Sequence, residues 1–336
     1  STLPPLVTTS TPGTEPSESG VLGLPGTSIL FGNGSVNTSA NSGWRITLGY
    51  WLDDCQSVGI EAGYLGFGEE AARFFASSEE TPILARPFYD TQLSLESAMP
   101  VAHPDYWEGW IRCDVTSRFQ AVEVLLRRNL FRQSCRRVDS LIGWRFAGLD
   151  ETVRIDHFSR WTRQQGPVEV GTTKSFHDLF DAQNRFNGVT LGVAYRERVG
   201  RWSLEAVMKL GLGSTRSRVL IDGATTTTVP GDEEIDTIRG ALLAQDTNMG
   251  RHSRNQFAVL PELGFTLGCD LTPRLHATFG YTFLYWSQVA RPANQIDTNA
   301  SQLPDEPPTG SRQPAFAFTM SDYWAQGMNF GLEYRF

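Results

Sequence analysis

The residues that could do chemistry fall at alternate positions among apolar ones. Arg45, Glu61, Glu123, Arg127, Arg145, Arg196, Glu205, Lys209, Glu262, His276, Glu333 and Arg335 all do so. Successive side chains of an extended strand point to opposite faces, so this spacing gathers the charges on one face. Both signs are present. Opposed acidic and basic walls along a passage would orient polar solutes and set an ion preference. The same charges would equally serve as salt bridges filling the inside of a narrow closed sheet.

Other reactive groups carry less. Asp156–His157 and His177–Asp178 offer a carboxylate and an imidazole, the parts of a general base. Neighbours on a strand point apart, so neither pair is a dyad by itself; no enzyme activity is expected. The four cysteines lack C-x-x-C spacing, which excludes a usual zinc site. Cys55 and Cys135 fall in two short turns on one rim, and a disulfide between them is expected in an oxidising compartment. Cys269 ends a strand on that rim, and Cys113 lies toward the other. The acidic loop of Asp232, Glu233, Glu234 and Asp236 reads as a solvated surface. No metal or cofactor is expected.

The elements that must position the charges are strands. Met328, Phe330, Leu332, Tyr334 and Phe336 alternate with Asn329, Gly331, Glu333 and Arg335. Leu275, Ala277, Phe279, Tyr281, Phe283 and Tyr285 oppose His276, Thr278, Gly280 and Thr282. Period-two patterning predicts strands over 27–33, 43–52, 57–67, 109–132, 137–157, 185–199, 201–222, 256–271, 273–289 and 321–336. Short turns near 53–57, 133–137, 199–201 and 270–273 alternate with long polar stretches near 68–108, 157–184, 223–255 and 290–320. That sorting is the layout of a transmembrane antiparallel up-and-down β-barrel with long extracellular loops. About 10 strands are expected, which puts both termini on the short-turn side; a further strand at 83–90 gives 12 as the runner-up. Residues 1–25, rich in Pro, Ser, Thr and Gly, read as a disordered tail or linker, and 26–336 as the barrel.

Composition agrees. The chain has 336 residues, a net charge of −8 and 40% hydrophobic residues. The acidic balance argues against a nucleic-acid partner, and no run of 18 apolar residues exists to cross a bilayer as a helix. No leader opens the chain, so Ser1 is expected to be a start left after export. Trp44, Tyr50, Tyr285, Trp286, Tyr323, Trp324, Tyr334 and Phe336 crowd the ends of the apolar rows, as an aromatic girdle at headgroup level would. The apolar faces are therefore expected to meet outer-membrane lipid. The terminal strand, ending on Phe336, has the pattern read by the barrel-insertion machinery.

Particular segments carry a resemblance. SGWRITLGYWLDDCQSVGIEAGY, PILARPFYD, SRFQAVEVLLRRNL, SLIGWRF and the block from ALLAQDTNMG to RPANQID are similar to those of the putative β-barrel porin seven family of planctomycete outer membranes. The resemblance runs from about residue 28 to 336 and leaves the tail outside. It implies an outer-membrane β-barrel and brings no catalytic residues or solute. Two functions are expected. One is passive diffusion of small hydrophilic solutes through the mixed-charge lumen. The other is a closed structural barrel whose loops contact a second copy or envelope proteins.

Overall fold

The structure, a computed structural model, describes residues 2–36, 41–232, 235–303 and 312–334. Nine strands form the wall: β1 (Gly43–Trp51), β2 (Val58–Phe67), β3 (Trp107–Arg132), β4 (Arg136–Trp161), β5 (Thr173–Val199), β6 (Trp202–Thr228), β7 (Gly250–Asp270), β8 (Leu275–Ala290) and β9 (Met320–Tyr334). They are hydrogen-bonded in chain order, and every ladder is antiparallel. Glu70–Ser77 continues the line of β2 along β3, and Asp236–Arg239 pairs with the upper end of β6. Among the described residues no ladder joins β1 to β9.

Tight turns join the strands at one end. At the β5–β6 turn, Gly200 takes a φ of +61°, a conformation that suits a residue without Cβ. The long connections collect at the other end and fold into a cap. There a five-stranded sheet runs in the order 299–300, 84–90, 7–9, 28–31, with 95–102 on the far side of 84–90.

The wall strands reverse their polarity along their length. On the lower half of β3 the outward row is Val122, Val124 and Leu126, all exposed, while the inward row holds Glu123 and Arg127. On the upper half the outward row becomes Arg112, Asp114, Thr116 and Arg118. The inward row becomes Ile111, Cys113, Val115 and Phe119, all buried. β6 does the same: Leu204, Met208 and Leu210 face outward below, whereas buried Val219 and Ile221 face inward above. The lower band spans roughly ten residues of each strand, the length that crosses hydrocarbon when tilted. A 26-residue strand such as β3 measures about 85 Å at about 3.3 Å per residue, so its upper half stands well clear of that band.

The cap core explains the upper half. Leu3, Leu6, Val7, Leu84, Val101 and Leu243 pack with Ile111, Val153, Ile155, Phe180, Val219 and Ile221 of the wall in one buried cluster. Above the band the molecule is thus built like a water-soluble protein, apolar within and polar without.

Three expectations need correction. Residues 1–25 are not an unpacked tail. Leu3, Leu6 and Val7 are buried, Thr8 pairs with Ala85, and the Thr14 carbonyl lies 3.0 Å from His103 Nε2. Three well-placed apolar side chains suffice to dock a polar segment on a ready core. Among the described residues the continuous order holds nine strands of an eleven-stranded sheet, and the segment expected at 27–33 pairs with 7–9 in the cap instead of joining the wall. Leu84–Asp90 is a strand, yet it too belongs to the cap, so twelve wall strands are not formed. The N-terminal segment consequently lies at the long-loop end, opposite the lower end of β9.

Candidate functional site: the filled lumen

The inward rows of β1 to β8 bring their charges together in tiers of ion pairs. In the lower tier, Arg127 donates to Glu61 (3.0 Å), Asp139 (2.9 Å) and Glu205 (3.4 Å). Arg196 donates to the same Glu205 from Nε at 2.9 Å, and Arg137 binds Asp139 at 2.7 Å. In the upper tier, Arg145 joins Glu262 (2.7 Å) to Glu123, Lys209 also binds Glu123, and Arg45 reaches Glu262 at 2.9 Å. At the floor, His276 Nδ1 lies 2.8 Å from Asp270 and Nε2 lies 3.0 Å from the Ser203 hydroxyl. Gly268 makes room for that ring: a Cβ there would sit 2.0 Å from Nε2.

The physics of such a network is one of mutual dependence. Removing a charge from water is costly, and only close partners of opposite sign offset the cost. Arg145 and Glu262 keep 2% and 7% of their side-chain exposure, so each relies on the other. Of the residues expected on the inner face, Arg45, Glu61, Glu123, Arg127, Arg145, Arg196, Glu205, Lys209, Glu262 and His276 all lie on one face of the wall. Glu333 acts electrostatically on Arg196. Arg335 lies outside the described residues. Asp139 and Asp270 were missed. Asp139 shares the inward parity of Leu141 and Arg145, a signal that the strand read over 137–157 already contained.

An aromatic tier lies above the ions. Phe119 stacks on Tyr323 at 5.5 Å and on Phe67 at 5.3 Å. Trp286 meets Phe119 and Phe186 edge to face and donates from Nε1 to the Thr215 hydroxyl at 2.8 Å. Trp286 and Tyr323 are therefore not girdle residues. Tyr285 and Trp286 are neighbours on β8, so only one of them can face outward, and Trp286 is fully buried. Trp44, Tyr50, Trp324 and Tyr334 are outward and exposed. Tyr285 shares their outward parity and bonds Asp322. Phe336 lies outside the described residues.

A third cluster ties cap to wall. Arg86, from the cap strand 84–90, pairs with Asp178 of β5 at 2.7 Å, both buried. The other Asp178 oxygen accepts from the backbone N–H of Leu243 and Ala244 at 2.9 and 2.7 Å. His157 of β4 lies 3.3 Å from the Arg86 guanidinium and stacks on Phe176. Burial pushes the His157 ring well below the ordinary imidazole range, and the Arg86 charge adds to this.

The two acid–imidazole pairs weighed from sequence are re-sorted by the ladder. Asp156 and His177 are cross-strand partners on the outward face, 2.7 Å apart. Burial raises the Asp156 carboxyl, but hydrogen bonds from Arg154 and His177 outweigh it and hold it below the usual range. The expected Cys55–Cys135 bridge is not formed: both are exposed free thiols, and Cys113 and Cys269 are free as well. Glu233 and Glu234 lie outside the described residues, and among the described residues no three acids, histidines or cysteines converge as a metal site.

An all-β wall with apolar outward rows and a charged opposite face is the layout that a membrane β-barrel needs. The family model described as Putative beta barrel porin-7 matches residues 1–336, and the chain belongs to that family. The match takes in the first 25 residues, which the resemblance read from sequence had left outside. None of the curated proteins compared matches the chain.

Proposed function

We propose that the protein is an outer-membrane β-barrel that stands closed at rest and carries its folded cap above the bilayer as a contact surface. The observation that supports this reading is the double filling of the lumen. Ion pairs of the largely buried Arg145, Glu262, Lys209 and Glu123 lie beneath a packed layer of Phe119, Phe186, Trp286 and Tyr323. Nine strands sit near the size at which side chains just fill a barrel. The apolar band would lie in outer-membrane lipid, with the tight turns inside and the cap outside, the usual arrangement of such proteins. The cap's occupant would be a second copy or another envelope protein. Neither cofactor nor catalysis enters this reading.

Porin-like diffusion of small hydrophilic solutes is the second reading, favoured by the family and by the two signs of charge on the lumen wall. It requires both tiers to part. Single-channel recording in a planar bilayer separates the two. The closed reading predicts silence after verified insertion. Stable conductance steps whose ion selectivity shifts in Glu123→Gln would instead establish the diffusion reading.

A further inference from the structure

At the top of the apolar band each outward row from β3 to β7 turns polar within a few residues. Val122, Val189 and Phe257 are the last exposed apolar side chains of their rows. The charged outward positions that follow are Arg118 on β3, Asp150 on β4, Arg185 on β5, Arg216 and Arg218 on β6, and Arg251 on β7. One carboxylate thus stands among several guanidinium groups, in a chain whose net charge is −8. The next outward acid, Asp181, lies one position farther from the band and accepts from the Thr152 hydroxyl at 3.0 Å.

Arg185 and Arg216 are direct ladder partners on that face. Side chains in this relation start about 5 Å apart, and like charges there repel. Arg185 has Asp150 at 2.6 Å, but among the described residues no carboxylate pairs with Arg118, Arg216 or Arg218. Arginines farther from the band on the same face are engaged. Arg154 pairs with Asp156 at 2.7 Å, Arg160 with Glu108 at 3.2 Å, and Arg112 lies over the Phe75 and Trp110 rings. The guanidinium groups left over are those at the rim of the apolar rows. That rim has the marks of a headgroup layer. Trp144 presents its ring outward and donates from Nε1 to the Asn187 side chain at 2.6 Å.

We propose that Arg185, Arg216 and Arg218 hold the phosphate of an anionic lipid in the leaflet on the cap side. A guanidinium meets phosphate oxygens with two parallel N–H groups, and a negative group between Arg185 and Arg216 turns their repulsion into attraction. The acyl chains of the same molecule lie on the exposed apolar rows just beneath, beside Val189 and Leu210. A free anion has no use for those rows, whereas a lipid uses both parts of the surface. The site rests on the reading that the apolar band lies in a bilayer, and it holds whether the lumen is closed or conducting.

Native mass spectrometry of the full chain in a neutral detergent tests this. The chain is titrated with phosphatidic acid, with phosphatidylglycerol, and with phosphatidylcholine, whose phosphate is balanced by its own ammonium. Folded protein is recognised by heat-dependent gel migration. Retention of the two anionic lipids at concentrations that leave phosphatidylcholine unbound is expected. Arg185→Gln/Arg216→Gln should weaken that retention about tenfold or more, and added salt should weaken it too. Arg112→Gln/Arg154→Gln, farther from the band, should retain the lipids as wild type does. No preference over phosphatidylcholine, or equal losses in the two double variants, would overturn the site. Inorganic phosphate that displaces the lipid at equal concentration would assign the arginines to a free anion and overturn the lipid. A wild-type chain that never enters vesicles would overturn the membrane reading and this site with it. An inserted chain without lipid preference would overturn the site alone.

Discussion

Arg145 and Glu262 stand on strands three positions apart, yet their charged groups meet at 2.7 Å with almost no access to solvent. The pair works as the keystone of the upper tier, since Glu262 also holds Arg45, and Arg145 also holds Glu123. Glu262→Gln keeps the shape and removes the charge, leaving two guanidinium groups in a dry interior. A loss of about 3–5 kcal/mol is expected. Urea unfolding in lipid vesicles measures it. The double variant Arg145→Met/Glu262→Leu should lose clearly less than the sum of its two single variants. Equal stability of wild type and Glu262→Gln would mean that the lumen is wet.

The aromatic tier makes a separate demand. Phe119 touches Phe67, Trp286 and Tyr323 and is 1% exposed. Phe119→Ala opens a cavity that these rigid neighbours cannot fill, at a cost of about 3–5 kcal/mol. The same unfolding assay reads this, and Phe119→Leu should recover most of the loss. Indifference to the alanine would show that the tier is not packed.

The latch between cap and wall should depend on pH. His157 is held neutral in the fold, below the value of about 6.5 that an unfolded chain's imidazole shows. Above that pH both states carry a neutral ring. As pH falls through about 6.5 only the unfolded or opened state takes up the proton, so stability is full at higher pH and declines on acidification. The slope cannot exceed about 1.4 kcal/mol per pH unit for one group. Hydrogen exchange of the cap strand 84–90 should quicken, after correction for intrinsic rates, between pH 7.5 and 5.5. His157→Gln should flatten the response. An unchanged slope in that variant would assign the pH effect elsewhere.

Asp178 serves the same latch. It neutralises Arg86 and accepts two backbone N–H groups of the 243–244 turn. Asp178→Ala strands all three donors, a loss of about 3–5 kcal/mol for the charge pair alone. Limited proteolysis should cut first within 78–106 and 240–249. Cleavage confined to the tight turns would contradict this.

Much of the wall was legible because one face of each strand differs from the other. Ten of the charges read as sharing a face do share it, from Arg45 to His276. What period two cannot say is which sheet a strand joins. Ser28–Phe31 and Leu84–Asp90 look like wall strands and are cap strands, because the choice depends on partners far along the chain. Aromatic rings were ambiguous for a related reason. A ring at the end of an apolar row suits a headgroup layer or a plug equally, and only strict parity separates Tyr285 from Trp286. Leu3, Leu6 and Val7 were invisible as core because the surface they bury against is assembled from β3, β4, β5 and β6. The reversal of polarity at Phe119 was present in the sequence of β3 and follows from parity alone.

Site-directed spin labelling measures most directly whether hydrocarbon meets the lower outward rows. Single nitroxides would be placed at Leu126 and Phe265, outward within the band, and at Thr116, outward above it. The wall geometry predicts high accessibility to dissolved oxygen and low accessibility to a water-soluble nickel complex at Leu126 and Phe265, and the reverse at Thr116. Nickel access at Leu126 and Phe265 equal to that at Thr116 would contradict a membrane-spanning wall.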